Sequence, residues 1–165
     1  MPERSNVLSQ IVKQVGIFNF KDLYNFCYQW FLDEGYLLSE DRYEEKMSDA
    51  GKEVKIKWTA RKKVTDYFQN EIEMKWHILY MTDVEIERGK KKEKTNKGEV
   101  RFDIKADLVK DYELKWEDKP ALRFLRGVYD KYIIRSTIDE YEDRLFDRVN
   151  SLISEVKAFL QLEGK

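Results

Sequence analysis

The hydrophobic patterns along the chain predict an α+β fold: a curved antiparallel sheet of about six strands, covered on one face by an N-terminal helix and two C-terminal helices, the last one long. Three observations carry this. Between Glu53 and Tyr80, Val54, Ile56, Trp58 and Ala60 alternate with Lys55, Lys57, Thr59 and Arg61; Phe68, Ile72, Met74, Trp76 and Ile78 are then set against Gln69, Glu71, Glu73, Lys75 and His77. Successive side chains of a strand point to opposite faces, so this stretch forms one wall with an aromatic-rich inner face and a charged outer face. Before it, Asn19 opens a helical stripe, and near the end of the chain a longer stripe runs from Ile138 to Leu160. A sheet with one apolar face must bury it, and helices gathered on that face make a layered structure.

The 165 residues suit one domain spanning 1–165, and a chain of this size buries roughly 70% of the surface it exposes when unfolded. Lys and Arg number 31 and Asp and Glu 32, for a net charge of −1. That balance lacks the basic excess of a polyanion binder, so nucleic acid is not an expected partner. The dense charge of mixed sign fits surface ion-pair networks. The single cysteine, Cys27, excludes an intramolecular disulfide and fits a reducing compartment. No apolar run approaches the ~20 residues of a membrane span. Met1-Pro2-Glu3-Arg4 leads into Val7-Leu8-Ser9-Gln10-Ile11 without a signal peptide's apolar core, so the expected location is cytoplasmic.

The first strand is expected from about Leu8 to Ile17, with Ile11, Val15 and Ile17 on one side and Val12 on the other. A helix over 20–34 follows. Asn19 stands at its N-cap and Asp22 in the acid-favouring first turn, while Phe18 and Leu23 have the spacing of a hydrophobic staple. Phe20, Leu23, Tyr24, Cys27 and Phe31 share one stripe, and Gly35 ends the helix. Tyr36 to Met47 reads as an edge strand, and Ser48-Asp49-Ala50-Gly51 as a turn. The central strands break near Lys63 to Asp66. Val84 to Glu87 reads as a further short strand, and the lysine-rich segment Lys90–Lys97 as a loop. Val100, Phe102, Ile104, Ala106 and Leu108 then form a strand, whose phase reappears at Tyr112, Leu114 and Trp116. Asp118-Lys119-Pro120 starts a helix with Leu122, Leu125, Tyr129, Tyr132 and Ile133 on one face. Ser136 is placed as the N-cap of the last helix. Its stripe is Ile138, Tyr141, Leu145, Val149, Leu152, Ile153, Val156, Phe159 and Leu160, with Gly164 at its close. At ~1.5 Å per residue this helix is about 40 Å long, enough to cross a sheet.

This element order is similar to the helix-grip arrangement of START-like proteins, in which a curved antiparallel sheet wraps a long C-terminal helix. The stretch Leu122-Arg123-Phe124-Leu125-Arg126-Gly127-Val128-Tyr129-Asp130-Lys131-Tyr132-Ile133-Ile134 resembles segments of small archaeal proteins of unassigned function. Neither resemblance brings a functional residue to this chain.

Candidate chemistry is sparse. His77, the one histidine, falls on the outward phase of its strand and lacks a second histidine or cysteine nearby, so it reads as a surface residue rather than a base or zinc ligand. Cys27 lies inside an apolar stripe, where a thiol acts as a small hydrophobe. Asp139, Glu140, Glu142 and Asp143 occupy first helical turns, which favour acids, and lack the spacing of a calcium loop. The Lys90–Lys97 segment has no interleaved aromatics to stack bases and reads as a solvated tip. The sequence contains no Gly-rich phosphate loop, Ser/His/Asp set or paired carboxylates in a supporting context, so no catalytic residue, metal site or cofactor is expected.

Two groups stand out. Trp58, Phe68, Trp76, Tyr80, Phe102, Tyr112 and Trp116 are all assigned to the concave side of the sheet, where they either fill a core or line a cavity for an apolar small molecule. Phe124, Val128 and Ile134 lie off the core stripe of their helix; either the long helix covers them or they form an exposed partner surface, most simply that of a homodimer. The expected function is a non-enzymatic binding or interaction module, holding an apolar ligand between sheet and long helix or engaging a protein partner. The alternative is an enzyme on the same scaffold acting on a small apolar substrate. Fold analogy does not choose between them.

Overall fold

The computed structural model describes residues 3–110, 112, 120–128 and 135–163. Its elements run in the order β1 (Glu3–Phe18), α1 (Phe20–Asp33), β2 (Leu37–Ser48), β3 (Gly51–Lys63), β4 (Phe68–Arg88), β5 (Lys91–Lys110), α2 (Pro120–Val128) and α3 (Arg135–Glu163). The strands make one open antiparallel sheet in the order β1-β5-β4-β3-β2, so the first strand returns to pair with the last.

Register follows from the alternation. Ile56 faces Trp76, Trp58 faces Met74, Trp76 faces Phe102 and Phe102 faces Val12, which gathers the large apolar side chains of four strands on one face. All of these are buried. The opposite face carries charge, organised around Glu71. Arg4 Nη1 donates to Glu71 Oε1 at 2.7 Å and Arg61 Nε to Oε2 at 3.2 Å, while Asn6 Nδ2 donates to the neighbouring Asp107 at 2.8 Å. Burial pushes the Glu71 carboxyl up, but the hydrogen bond and charge of Arg4, with Arg61 behind it, prevail and hold it below the usual carboxylate range.

The strand count is five rather than about six, and the reason lies at Tyr80. Leu79 pairs with Glu99 and Thr82 with Lys97, so β4 carries one residue more than β5 across this interval. The extra residue is absorbed as a bulge, with Tyr80 at φ 57°. Two glycines flank it: a Cβ on Gly51 of β3 would lie 2.7 Å from the Tyr80 carbonyl carbon, and one on Gly98 of β5 would lie 2.8 Å from the Leu79 carbonyl oxygen. With both neighbours cut back to backbone, β4 passes through the irregularity unbroken, and 68–80 and 84–87 become one strand.

The lysine-rich segment is likewise strand, not loop. β4 and β5 continue to a turn at Gly89 and Lys90, with Glu85 opposite Lys94 and Glu87 opposite Lys92. Opposite charges facing across a ladder favour pairing. β1 also begins earlier than its apolar alternation indicates, because Arg4, Ser5 and Asn6 are held by polar contacts to Glu71, Glu142 and Asp107.

Both long helices lie on the apolar face. α1 starts at its cap, where Asn19 Oδ1 accepts from the Asp22 amide at 3.0 Å, and it ends at Gly35, whose φ of 83° suits glycine. Leu23, Cys27, Trp30 and Phe31 are its buried side, set against β3 and β4. α3 covers β1 and β5 with Leu145, Val149, Leu152, Ile153, Val156 and Leu160. It begins at Arg135, so Ser136 sits in its first turn rather than before it. Phe26 stacks on Phe159 at 5.4 Å to join the helices. The shorter α2 has little apolar cover: Phe124 is 72% and Leu125 50% exposed, so the expected core position of Leu125 does not hold. Tyr129, Tyr132, Ile133, Leu114 and Trp116 lie outside the described residues. No helix among the described residues is long and apolar enough to cross a membrane.

Candidate functional site

Among the described residues, the fold brings three of the seven aromatics expected on the inner face into direct contact. Trp76 meets Phe102 edge-on at 4.7 Å and Trp58 at 5.1 Å, and α1 adds Tyr24 against Trp58 at 5.0 Å. Trp58, Trp76 and Phe102 are fully covered and fill the space between sheet and helices. Phe68 is buried in a separate small cluster with Leu108 and Ile138, where its ring meets Tyr141 at 5.3 Å. Tyr112 is partly buried and donates its hydroxyl to the Thr65 carbonyl at 3.1 Å. Tyr80 does not join them. The bulge reverses the phase of β4, so Met81 turns inward and Tyr80 is 57% exposed. Trp116 lies outside the described residues, as does Ile134 of the second group; Phe124 is exposed and Val128 partly buried.

Polar chemistry within the core is thin. Trp58 Nε1 donates to Glu40 at 3.1 Å, and Trp76 Nε1 is buried without a partner among the described residues. Cys27 is fully buried, and burial pushes its thiol far above the ordinary range, which leaves it unreactive at neutral pH. His77 sits on the outer face 3.0 Å from Glu53. Among the described residues, no group of three or more His, Cys, Asp and Glu side chains could hold a metal ion.

Two of the clefts at the margins of the helical layer gather polar side chains around a tyrosine. One lies between α1 and the edge strand β2, lined by Tyr24, Asn25, Tyr28, Leu38 and Glu40. Glu40 Oε1 accepts from the Tyr24 hydroxyl at 2.7 Å, and burial together with that carboxylate pushes the phenol up to about 12. The other, of about 360 Å³, opens where the end of α1, the β3–β4 turn and α3 meet. Tyr36 and Asn70 line its inner part, and Lys62, Lys63, Arg144 and Arg148 surround them. Arg148 grips Glu34 with two donors, one of them Nε at 3.0 Å from Oε2, tying α3 to the end of α1. Asn70 Nδ2 reaches the Tyr36 hydroxyl at 3.5 Å.

Sequence reasoning missed this second cleft. Its residues come from three separated segments, and the one local signal was an aromatic, Tyr36, directly after the glycine that ends a helix. No protein family, curated protein or solved structure matches this chain.

Proposed function

We propose that the chain is a non-enzymatic interaction module on a helix-grip-like scaffold, and that it works through its surface, with α2 meeting a second copy of the chain. The observation that carries this is the exposure of Phe124 and Leu125 on one short helix, beside the partly buried Leu122 and Val128. Apolar side chains grouped on a helix with so little cover mark an interface, and two-fold pairing is the commonest way identical chains associate. The helix-grip likeness draws support from the pairing of β1 with β5 and from the long α3 crossing the apolar face. Holding an apolar ligand between sheet and helix would require Trp58, Trp76 and Phe102 to separate, which moves the weight of the proposal from the interior to α2.

Light scattering on the wild type and on Phe124→Glu tests it. The expected result is a dimer at high micromolar concentration that the substitution converts to a folded monomer. A wild-type monomer at that concentration overturns the homodimer.

A further inference from the structure

We propose that the cleft at Tyr36 and Asn70 is a binding site for a small planar organic anion, a carboxylate or a phosphate monoester, that carries a polar substituent. The cleft has nothing to do with α2 and stands or falls separately from the interaction surface.

Its volume, about 360 Å³, is in the range of small-molecule sites. Among the described residues, four cationic side chains line it against one carboxylate, Glu34, whose two oxygens are taken by Arg148. Lys63 is paired with Asp66 at 3.3 Å and Arg144 with Glu140. Lys62 differs from these: no carboxylate among the described residues pairs with it, and its Nζ lies 5.7 Å above the Tyr36 ring. An ammonium held over an aromatic face keeps its N–H donors for an anion, which an ion-paired one does not.

Deeper in, Asn70 Oδ1 is shielded from solvent and has no hydrogen-bond partner among the described residues. Among the described residues the amide's nitrogen meets only the long contact to Tyr36, so whichever way the amide is turned, one of its polar atoms is left over. Buried polar atoms are nearly always paired, so one that lines an open cleft pairs with water or with an occupant that replaces it. Burial, with the Glu34 charge adding to it, pushes the Tyr36 phenol up to about 12, so its hydroxyl is neutral and able to donate. Tyr141 supplies aromatic wall on which a planar group can lie. Anion, ring and polar substituent are therefore matched by Lys62, Tyr141 and the Asn70–Tyr36 pair.

The test is an amide-resolved NMR titration of the full chain with 4-hydroxybenzoate, phenyl phosphate, inorganic phosphate and the neutral 4-hydroxybenzyl alcohol. The expected result is saturable binding of one or both aromatic anions, with shifts centred on Tyr36, Lys62 and Asn70; the stronger of the two identifies carboxylate or phosphate. Lys62→Met should weaken that binding about tenfold, the value of one hydrogen bond to a charged group, without moving the melting temperature. Asn70→Leu should weaken 4-hydroxybenzoate more than phenyl phosphate; should that variant fail to fold, Lys62→Met decides alone. Failure of both aromatic anions to saturate overturns the proposal. So does neutral alcohol or inorganic phosphate binding as tightly as they do, or binding that Lys62→Met leaves unchanged.

Discussion

Replacing Gly98 by alanine isolates the bulge in β4. The added Cβ would sit 2.8 Å from the Leu79 carbonyl oxygen, 3.1 Å from Met81 Cα and 3.2 Å from the Met81 nitrogen. All three are backbone atoms of the adjacent strand, so no side chain can swing aside; the strands must separate by a few tenths of an ångström or the bulge must change shape. Overpacking of this kind costs about 1–3 kcal/mol. For a domain of this size each kcal/mol lowers the melting temperature by roughly 2–4 °C, which gives a drop of roughly 2–12 °C. Gly127→Ala is the matched control, because the same methyl there meets nothing within 4 Å and lies in a helix, where alanine is favoured by up to about 1 kcal/mol. Thermal melts by circular dichroism, backed by urea titrations, compare the two. A Gly98→Ala protein that melts with or above Gly127→Ala would refute the idea that bare backbone on β5 is what lets the bulge exist.

Two further outcomes follow from the core and from the outer face. Leu152, wholly buried on α3, should cost about 2–5 kcal/mol when changed to alanine, and a melt within a degree of wild type would mean that α3 is not docked as described. Arg4→Met removes the main partner of Glu71. Because that carboxyl is held below its usual range in the fold, its stabilisation is present above the ordinary carboxylate pKa and is lost as pH falls through the folded value. The variant should therefore be less stable at pH 7 by about 0.5–1 kcal/mol, as suits a pair with one half-exposed member. Melts across pH should show the gap closing below about pH 4; an equal gap at acid and neutral pH would refute the linkage.

How far the fold was legible depends on where the information sits. The inner faces of β3 and β5, the cap at Asn19 and the stripe of α3 are local patterns, and each is present in the structure. What could not be read was non-local. The phase change at Tyr80 depends on two glycines far away in sequence, at 51 and 98, so counting alternate residues carried Tyr80 to the wrong face. The lysine-rich segment looks like a loop by composition and becomes strand because Glu85 and Glu87 face Lys94 and Lys92. The aromatic core was visible as a group, but whether Trp58, Trp76 and Phe102 enclose space or fill it is a matter of helix position. The cleft around Tyr36 and Asn70 had no local signature, since lysines, an asparagine and a tyrosine in those contexts are unremarkable until α3 brings Arg144 and Arg148 beside them.

The bulge also divides the sheet by what each part answers to. Up to it, β4 and β5 are constrained by the helices above them. Just past it, Asn96 ties the ribbon to the body, accepting from the Phe20 amide and donating to Asp83 at 2.9 Å. Farther out, from Val84 to Lys94, the two strands pair with each other and the side chains are largely exposed. That ribbon is a modular appendage: it can grow or shrink by matched pairs of residues, one on each strand, or exchange the signs of Glu85 and Lys94 together, with the packed body beneath unaffected. It is the natural place in this molecule to graft an epitope or a spectroscopic label.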